Sequence, residues 1–434
     1  MQSFVPSVRF GTRFLRLLLA CGLTISLTAI MPAQQESVQG LLSQADEVLH
    51  EMSEMTGLPI RAPVKKRIIS RPEIEKHLTQ NLHEEMTPAE IHAQEAELRA
   101  FGLVSRDFNL ERFLIKFYTE QAAGFYDSRQ KTMFIADWIP PEIQIPALAH
   151  ELTHALQDQS WDLEKFLRAT RDNEDASSAR QAFVEGYATA AMFQQMTGSM
   201  QLSELPSIAP LLELTVQQTF EEFPTFSSAP HFFRVQALFP YIQGTGFIQR
   251  GLKEGGWKNL NHAFDNPPDS TKQIFEPEAY FNHQSFPAVT LAHPAALDGS
   301  AGPRFLTENV MGELGYYSLL GQLISDEEAK TLGPAWLADR YLIYEHSGGN
   351  DFTLVSRTRW TSPETALEFF RDYHTILAHK YPELTTDPRS TADLFAGSAA
   401  NGVTLLLRKG NECVWAEGVP AGKADAMLAW LRAL

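Results

Sequence analysis

A chain of 434 residues with a formal net charge of −17 at pH 7 is long enough to bury its own cores, and its charge argues against nucleic acid and anionic membranes as partners. Two cysteines in that length provide no disulfide framework.

The first stretch, Met1 to Ala33, carries Arg9, Arg13 and Arg16 ahead of an apolar run from Leu17 to Ile30 and ends on a small residue. That pattern predicts a secretory signal peptide, and its apolar run falls short of the roughly 20 residues a membrane span needs. The expectation is an exported protein, periplasmic or extracellular, with no membrane span in the mature chain. A lipoprotein reading through Leu18-Leu19-Ala20-Cys21 is weaker, because Arg16 leaves almost no apolar segment before the cysteine. Removing residues 1–33 takes three arginines and no acid, so the formal charge moves from −17 to −20. It also leaves Cys413 alone, read as a small buried hydrophobe.

From Ser37 to Tyr118 apolar periodicity predicts helices over Leu41–Met55, from Pro88 to Phe101, and over Leu110–Tyr118 behind Asn109, with one short strand at Val64–Ile69. Gly124–Asp127 and Lys131–Ile135 flank Ser128-Arg129-Gln130 as a hairpin. Next comes Ala149-His150-Glu151-Leu152-Thr153-His154, a His-Glu-x-x-His pattern in a helix-compatible run. On a helix His150 and His154 leave the same face, so both ring nitrogens can reach one metal ion at about 2.0–2.1 Å. Glu151 then lies beside the metal without being aimed at it, which suits a general base acting on water. With 13 His and 53 acidic residues an accidental match has a probability of roughly a few per cent, and a surface helix with two unrelated histidines is the plainer alternative. Apolar Ile145, Leu148, Leu152, Ala155 and Leu156 argue instead for a partly buried helix.

Two histidines and a water leave one position open, and Glu185 is the best candidate to fill it. It falls inside a helix expected to be capped by Ser177 or Ser178 and closed by Gly198, among Ala182, Phe183, Val184, Ala188 and Ala191. A carboxylate there costs several kcal/mol to bury unpaired, so it needs a metal or a basic partner, the plain alternative being Arg180. Among competing acids, Asp158 continues the His154 face and can at most orient a ligand. Asp162 and Glu164 follow too closely, and Asp172, Glu174 and Asp175 precede the expected cap, facing solvent.

His150, Glu151, His154 and a helical Glu185 together resemble the gluzincin group of zinc metallopeptidases. The resemblance implies that His150, His154 and Glu185 are zinc ligands and Glu151 the catalytic base. It also implies a zincin fold whose active-site helix lies beside an edge strand that lines the cleft and pairs with extended peptide. The strings AHELTHALQDQ (149–159), GFYD (124–127), Glu185-Gly186-x-Ala188 and Pro267-Pro268-Asp269-Ser270-Thr271 are similar to those of a largely uncharacterised set of secreted prokaryotic proteins of this type. Together they span about half the chain. This sequence departs from that set at Tyr187, where an Asp is common, and at Glu276, where a His is often found.

Further on, Leu205–Phe226 and Phe232–Leu252 predict helices, the second broken by Pro240, Gly244 and Gly246. Tyr241 and His231 are candidate hydrogen-bond donors to the oxyanion of a tetrahedral intermediate, with plain packing as the alternative for each. Gly255-Gly256-Trp257 and Asn266–Asp269 read as loops on the rim or far side. From Arg304 the pattern becomes a helix (Val310–Ile324), then strands Arg340–Glu345 and Phe352–Thr358, helix Pro363–Lys380, strands Val403–Lys409 and Glu412–Glu417, and helix Lys423–Leu434. That ββαββα order predicts a small antiparallel module with no recognisable chemistry.

The sequence thus predicts an α+β protein: a signal peptide over 1–33, a mainly helical zincin-like domain with a small edge sheet over 34–303, and an α+β module over 304–434. The expected activity is that of a secreted Zn2+-dependent endopeptidase or aminopeptidase-like hydrolase acting on peptide or protein by Glu-assisted attack of water. The alternative is a catalytically silent zinc-binding scaffold or interaction protein of the cell envelope, and a further one is packing without metal. Glu151 argues against the scaffold, since a structural zinc site needs no base and closes its fourth position with protein. Nothing in the sequence signals an oligomeric state.

Overall fold

The computed structural model describes residues 38–434 except 123, 139–140, 222, 299–301 and 350, so the expected signal peptide lies outside the described residues. Helix α1 (Val38–Thr56) leads into strand β1 (Lys65–Ile69), then α2 (Arg71–Glu85), α3 (Pro88–Ala100) and α4 (Leu110–Gln121). Local chemistry sets these starts. Thr87 accepts from Glu90 N while Glu90 Oε2 accepts from Thr87 N at 2.7 Å, with Pro88 at the first helical position. Asn109 Oδ1 accepts from Arg112 N at 2.7 Å.

The expected hairpin follows as β2 (Gly124–Asp127) and β3 (Thr132–Ala136). β1 joins it on the far side of β3, parallel and with Ile69 opposite Ala136, so the sheet order is β1-β3-β2 and β2 is an edge. Beside this edge lies α5 (Pro141–Trp161), the helix of the two histidines, followed by α6 (Leu163–Arg168) and α7 (Glu174–Thr197), which carries Glu185. α7 starts earlier than Ser177 or Ser178: Asn173 is its cap, accepting from Ala176 N at 3.0 Å, and both serines are buried inside the helix. Gly198, at φ 59°, closes it as expected.

The expected helix over 205–226 is divided. Three prolines punctuate it, leaving α8 (Ala209–Glu221) and α9 (Pro224–Ser227). The next helix, α10 (His231–Ala263), is not broken where expected; it runs through Pro240, Gly244 and Gly246. The interruption comes at Gly255 and Gly256, where Gly256 takes φ 67° and ψ −166°, a conformation that glycine alone adopts readily. Gly244 has a different purpose. A Cβ placed on Gly186 of α7 would lie 2.2 Å from the Gly244 carbonyl carbon, so two glycines let α7 and α10 cross in backbone contact. Short helices α11 (Thr271–Phe275) and α12 (Pro277–Phe281) complete this part.

The remainder is β4 (Arg304–Asn309), α13 (Gly312–Leu323), α14 (Asp326–Leu332), β5 (Trp336–Glu345), β6 (Phe352–Trp360), α15 (Pro363–Lys380), β7 (Thr385–Thr386), β8 (Leu394–Ala399), β9 (Gly402–Lys409), β10 (Glu412–Val419) and α16 (Ala424–Ala433). They build an antiparallel seven-stranded sheet of order β4-β5-β6-β10-β9-β8-β7. The simple ββαββα order therefore lacked β4, β7 and β8. β8 reads Leu-Phe-Ala-Gly-Ser-Ala, without β-branched residues, and is a strand because it pairs with β9, Ala396 opposite Leu405. One sheet face, including Tyr341, Leu354, Leu406 and Trp415, joins an apolar core that continues through α7 and α10 to α1. The other face, with Leu342, Val355, Leu405 and Val414, is covered by Met427, Leu428 and Leu431 of α16. Cys413 is buried and unpaired, as expected. No helix among the described residues is long and apolar enough to cross a membrane.

Candidate metal centre

The helix spacing puts His150 and His154 on one face of α5, and α7 crosses that face with Glu185 pointing at both. His150 Nε2 lies 3.0 Å from His154 Nε2. Glu185 Oε2 is 3.2 Å from the first and 3.3 Å from the second. Nitrogens and oxygens bound tetrahedrally at about 2.0–2.1 Å stand about 3.3–3.4 Å from one another, so the three atoms form a triangle of nearly the size one zinc ion requires. Among the described residues these are the grouped side chains able to hold a metal. The plain alternative for Glu185 does not apply: Arg180 donates to Phe166 O at 2.9 Å and stacks over the Phe166 ring.

All three side chains are buried, and so is Glu151. Burial raises the cost of its charge and nearby Glu185 adds to it, against the pull of His154 and one amide, so its carboxyl is pushed up to about 8. Burial also disfavours the Glu185 carboxylate, yet His154 and His150 draw it down to about 2. His154 responds in the opposite sense. Burial opposes its charge, but Glu185 holds the imidazole up at about 9, whereas burial dominates at His150 and lowers it. A cation can be held there only by unprotonated ring nitrogens and an ionised carboxylate, so binding is coupled to proton release.

The edge strand reaches Glu151 directly. Tyr126 N of β2 donates to Glu151 Oε2 at 2.7 Å, and the Tyr126 hydroxyl donates to Asp158 at 2.8 Å two helical turns further along α5. Lys131 Nζ meets the same Asp158 oxygen at 2.6 Å. Asp158 therefore orients Tyr126 and the hairpin, where the sequence suggested a metal ligand as its partner. His154 Nδ1 is 2.8 Å from Gln157 Oε1, and Gln181 Nε2 donates to Glu185 Oε1 at 2.9 Å. Tyr126, Gln157 and Gln181 all went unassigned in the sequence. The spacing of each glutamine, three after one ligand and four before the other, was the available signal.

Of the two oxyanion candidates, only Tyr241 is at the site: its buried ring is centred 6.1 Å from that of His150. His231 is ten residues earlier on the same helix, about 15 Å away along its axis, and faces Asp326 at 3.6 Å beside Gly321. It is not part of the cluster. Nor are the two positions where the chain departs from its resembled set. Tyr187 sits on the far side of α7, donating to Asn261 at 2.7 Å, and Glu276 accepts from buried Lys272 at 2.8 Å. The Pro-Pro-Asp-Ser-Thr string has a structural part to play: Thr271 donates through N (2.8 Å) and Oγ1 (2.5 Å) to Asp175 at the start of α7. Asp175 is buried there, contrary to the solvent exposure expected for it.

No curated protein and no solved structure matches this chain. The profile of a domain of unknown function, DUF8575, matches residues 304–428, from β4 into α16, and leaves His150, His154 and Glu185 outside its bounds.

Proposed function

We propose that this protein is a zinc-dependent metallopeptidase that works outside the cytoplasm after removal of residues 1–33. The observation that carries the reading is the convergence of His150, His154 and Glu185 on one point, with Glu151 held against an edge strand one residue from the first ligand. When bound, zinc would activate water and polarise a carbonyl. Glu151 is oriented for the proton traffic: with Oε2 fixed by the Tyr126 amide, the carboxylate takes the proton of the attacking water and returns it to the leaving amine. Tyr241, beside His150, is the side chain best sited to donate to the developing oxyanion.

A silent zinc-holding scaffold is the second reading, favoured by the 1–2 % exposure of all four polar residues. Two measurements separate the readings. Purified protein should carry about one zinc per chain, removable by chelator, and Glu151→Gln should keep that zinc while losing hydrolysis of a broad peptide panel. Loss of zinc in Glu151→Gln contradicts the base assignment; equal, nonzero hydrolysis by mutant and wild type assigns the proton transfer elsewhere. Zinc bound with no hydrolysis in either protein leaves the scaffold, and no zinc in the wild type removes both readings.

A further inference from the structure

We propose that Gln157 is a positioning residue that holds His154 in the one tautomer able to take a cation and ties it to the helix bearing Glu185; this rests on the metallopeptidase reading. Gln157 is fully buried, three residues beyond His154 on α5. Its Nε2 donates to Val184 O at 3.2 Å. A carbonyl can only accept, so this bond turns the amide oxygen toward His154 Nδ1, 2.8 Å away. Nδ1 must then be the donor. In the neutral ring that leaves the lone pair on Nε2, the atom facing His150 and Glu185.

The same side chain thereby fixes two ligands at once, because Val184 directly precedes Glu185. Gln181, also buried, completes the arrangement from the other helix, holding Glu185 Oε1 so that Oε2 turns to the histidines. His150 has no counterpart: its Nδ1 is buried with no hydrogen-bond partner. The tautomer control of the site therefore falls on Gln157. Its neutrality has a consequence too. A carboxylate in that place would add negative charge to the imidazole, whereas an amide orients it and leaves Glu185 as the only anion among the three ligands.

The test compares zinc affinity, by competition with a chromophoric chelator, in wild type, Gln157→Met and Gln157→Glu, with thermal unfolding of the metal-free proteins as the check on folding. Methionine keeps length but accepts nothing useful; it should weaken zinc by about 10- to 100-fold, and glutamate, which keeps the acceptor toward His154 but cannot donate to Val184 O, should return part of that loss. Gln157→Asn, polar but a methylene too short to span from His154 to Val184, should show the same loss as methionine and serves if the latter does not fold. The visible absorption of the Co2+-substituted protein should change in the methionine variant. Zinc binding equal in wild type and both weakened-acceptor variants overturns the positioning role alone, as does an equal loss in glutamate and methionine. A wild type that takes no zinc overturns the metallopeptidase reading and this role with it.

Discussion

Replacing Gly186 with alanine should destabilise the protein by up to about 2 kcal/mol and loosen the His150–His154–Glu185 cluster with it. The added Cβ would stand 2.2 Å from Gly244 C, 2.4 Å from Gly244 O and 2.7 Å from Gly244 Cα, all main-chain atoms inside a helix that no rotamer change can move. To reach ordinary contact, α7 and α10 must part by about 1 Å, pulling apart the buried seam that includes Phe183 and Phe247. Overpacking of this kind costs about 1–3 kcal/mol and sometimes more. Against it stands the preference of a helix interior for alanine over glycine, about 1 kcal/mol. The clash wins because its partner is backbone. Since Glu185 precedes Gly186, its carboxylate is displaced relative to α5, and zinc affinity should fall alongside stability. Gly246→Ala on the same α10 is the control: its Cβ would meet Ala209 Cβ at 3.6 Å, an ordinary contact, so that variant should be neutral or up to about 1 kcal/mol more stable. Urea unfolding of the metal-free full chain reads both. An unchanged or raised midpoint for Gly186→Ala, or equal losses for the two variants, would refute the argument that the crossing requires bare backbone.

Tyr241→Phe should retain zinc and lower kcat by about tenfold or more, whereas His231→Ala should leave kcat, KM and zinc content within about twofold, being about 15 Å from Tyr241; a larger loss from His231→Ala would return that residue to the site. In the sheet, burial pushes Glu412 up, but Arg357 and Arg359 clasp it at 2.8 Å and 2.5 Å and hold it below the ordinary range. A depressed carboxylate stabilises the fold above its unfolded pKa of about 4.3 and loses that contribution as pH falls through the folded value. Glu412→Gln should therefore be about 1 kcal/mol less stable than wild type at pH 7, with the gap closing below about pH 4 in denaturant titrations; a gap independent of pH would contradict the ionic account.

The convergence of His150, His154 and Glu185 was legible because its spacing is enforced by helix geometry: His150 and His154 share a face, and Glu185 stood out as a carboxylate among Phe183, Val184 and Ala188. The hairpin was legible from alternation and its polar turn. What lay beyond reach depended on long-range pairing. β1 has the sequence of a strand, but its parallel partner lies across three helices, and β8 becomes a strand through β9. Glycine and proline misled in α10 for the same reason. Gly244 was read as a chain break when its missing side chain instead admits Gly186, a fact belonging to two helices at once. His231 was nominated beside Tyr241 as a candidate donor to an oxyanion, and the helix rise between them separates the two by about 15 Å.

The amino end of α7 has an implication for how such chains can recombine. Glu174 N donates to Asn309 Oδ1 at 2.9 Å, and Asp175 binds Thr271, whose hydroxyl in turn accepts from Leu314 N at 3.1 Å. Gly312 is part of the same joint: a Cβ on it would sit 2.0 Å from Asp175 Oδ1. Asn309, Gly312 and Leu314 lie within the matched stretch 304–428; Glu174, Asp175 and Thr271 lie outside it. A gene fusion that imported a foreign version of this stretch would replace half of a lock whose other half starts the helix bearing Glu185. Lineages that exchange the C-terminal segment must therefore inherit the two halves as a matched pair, and a chimera that mixes them should express as a chain whose Glu185-bearing helix has lost its anchor.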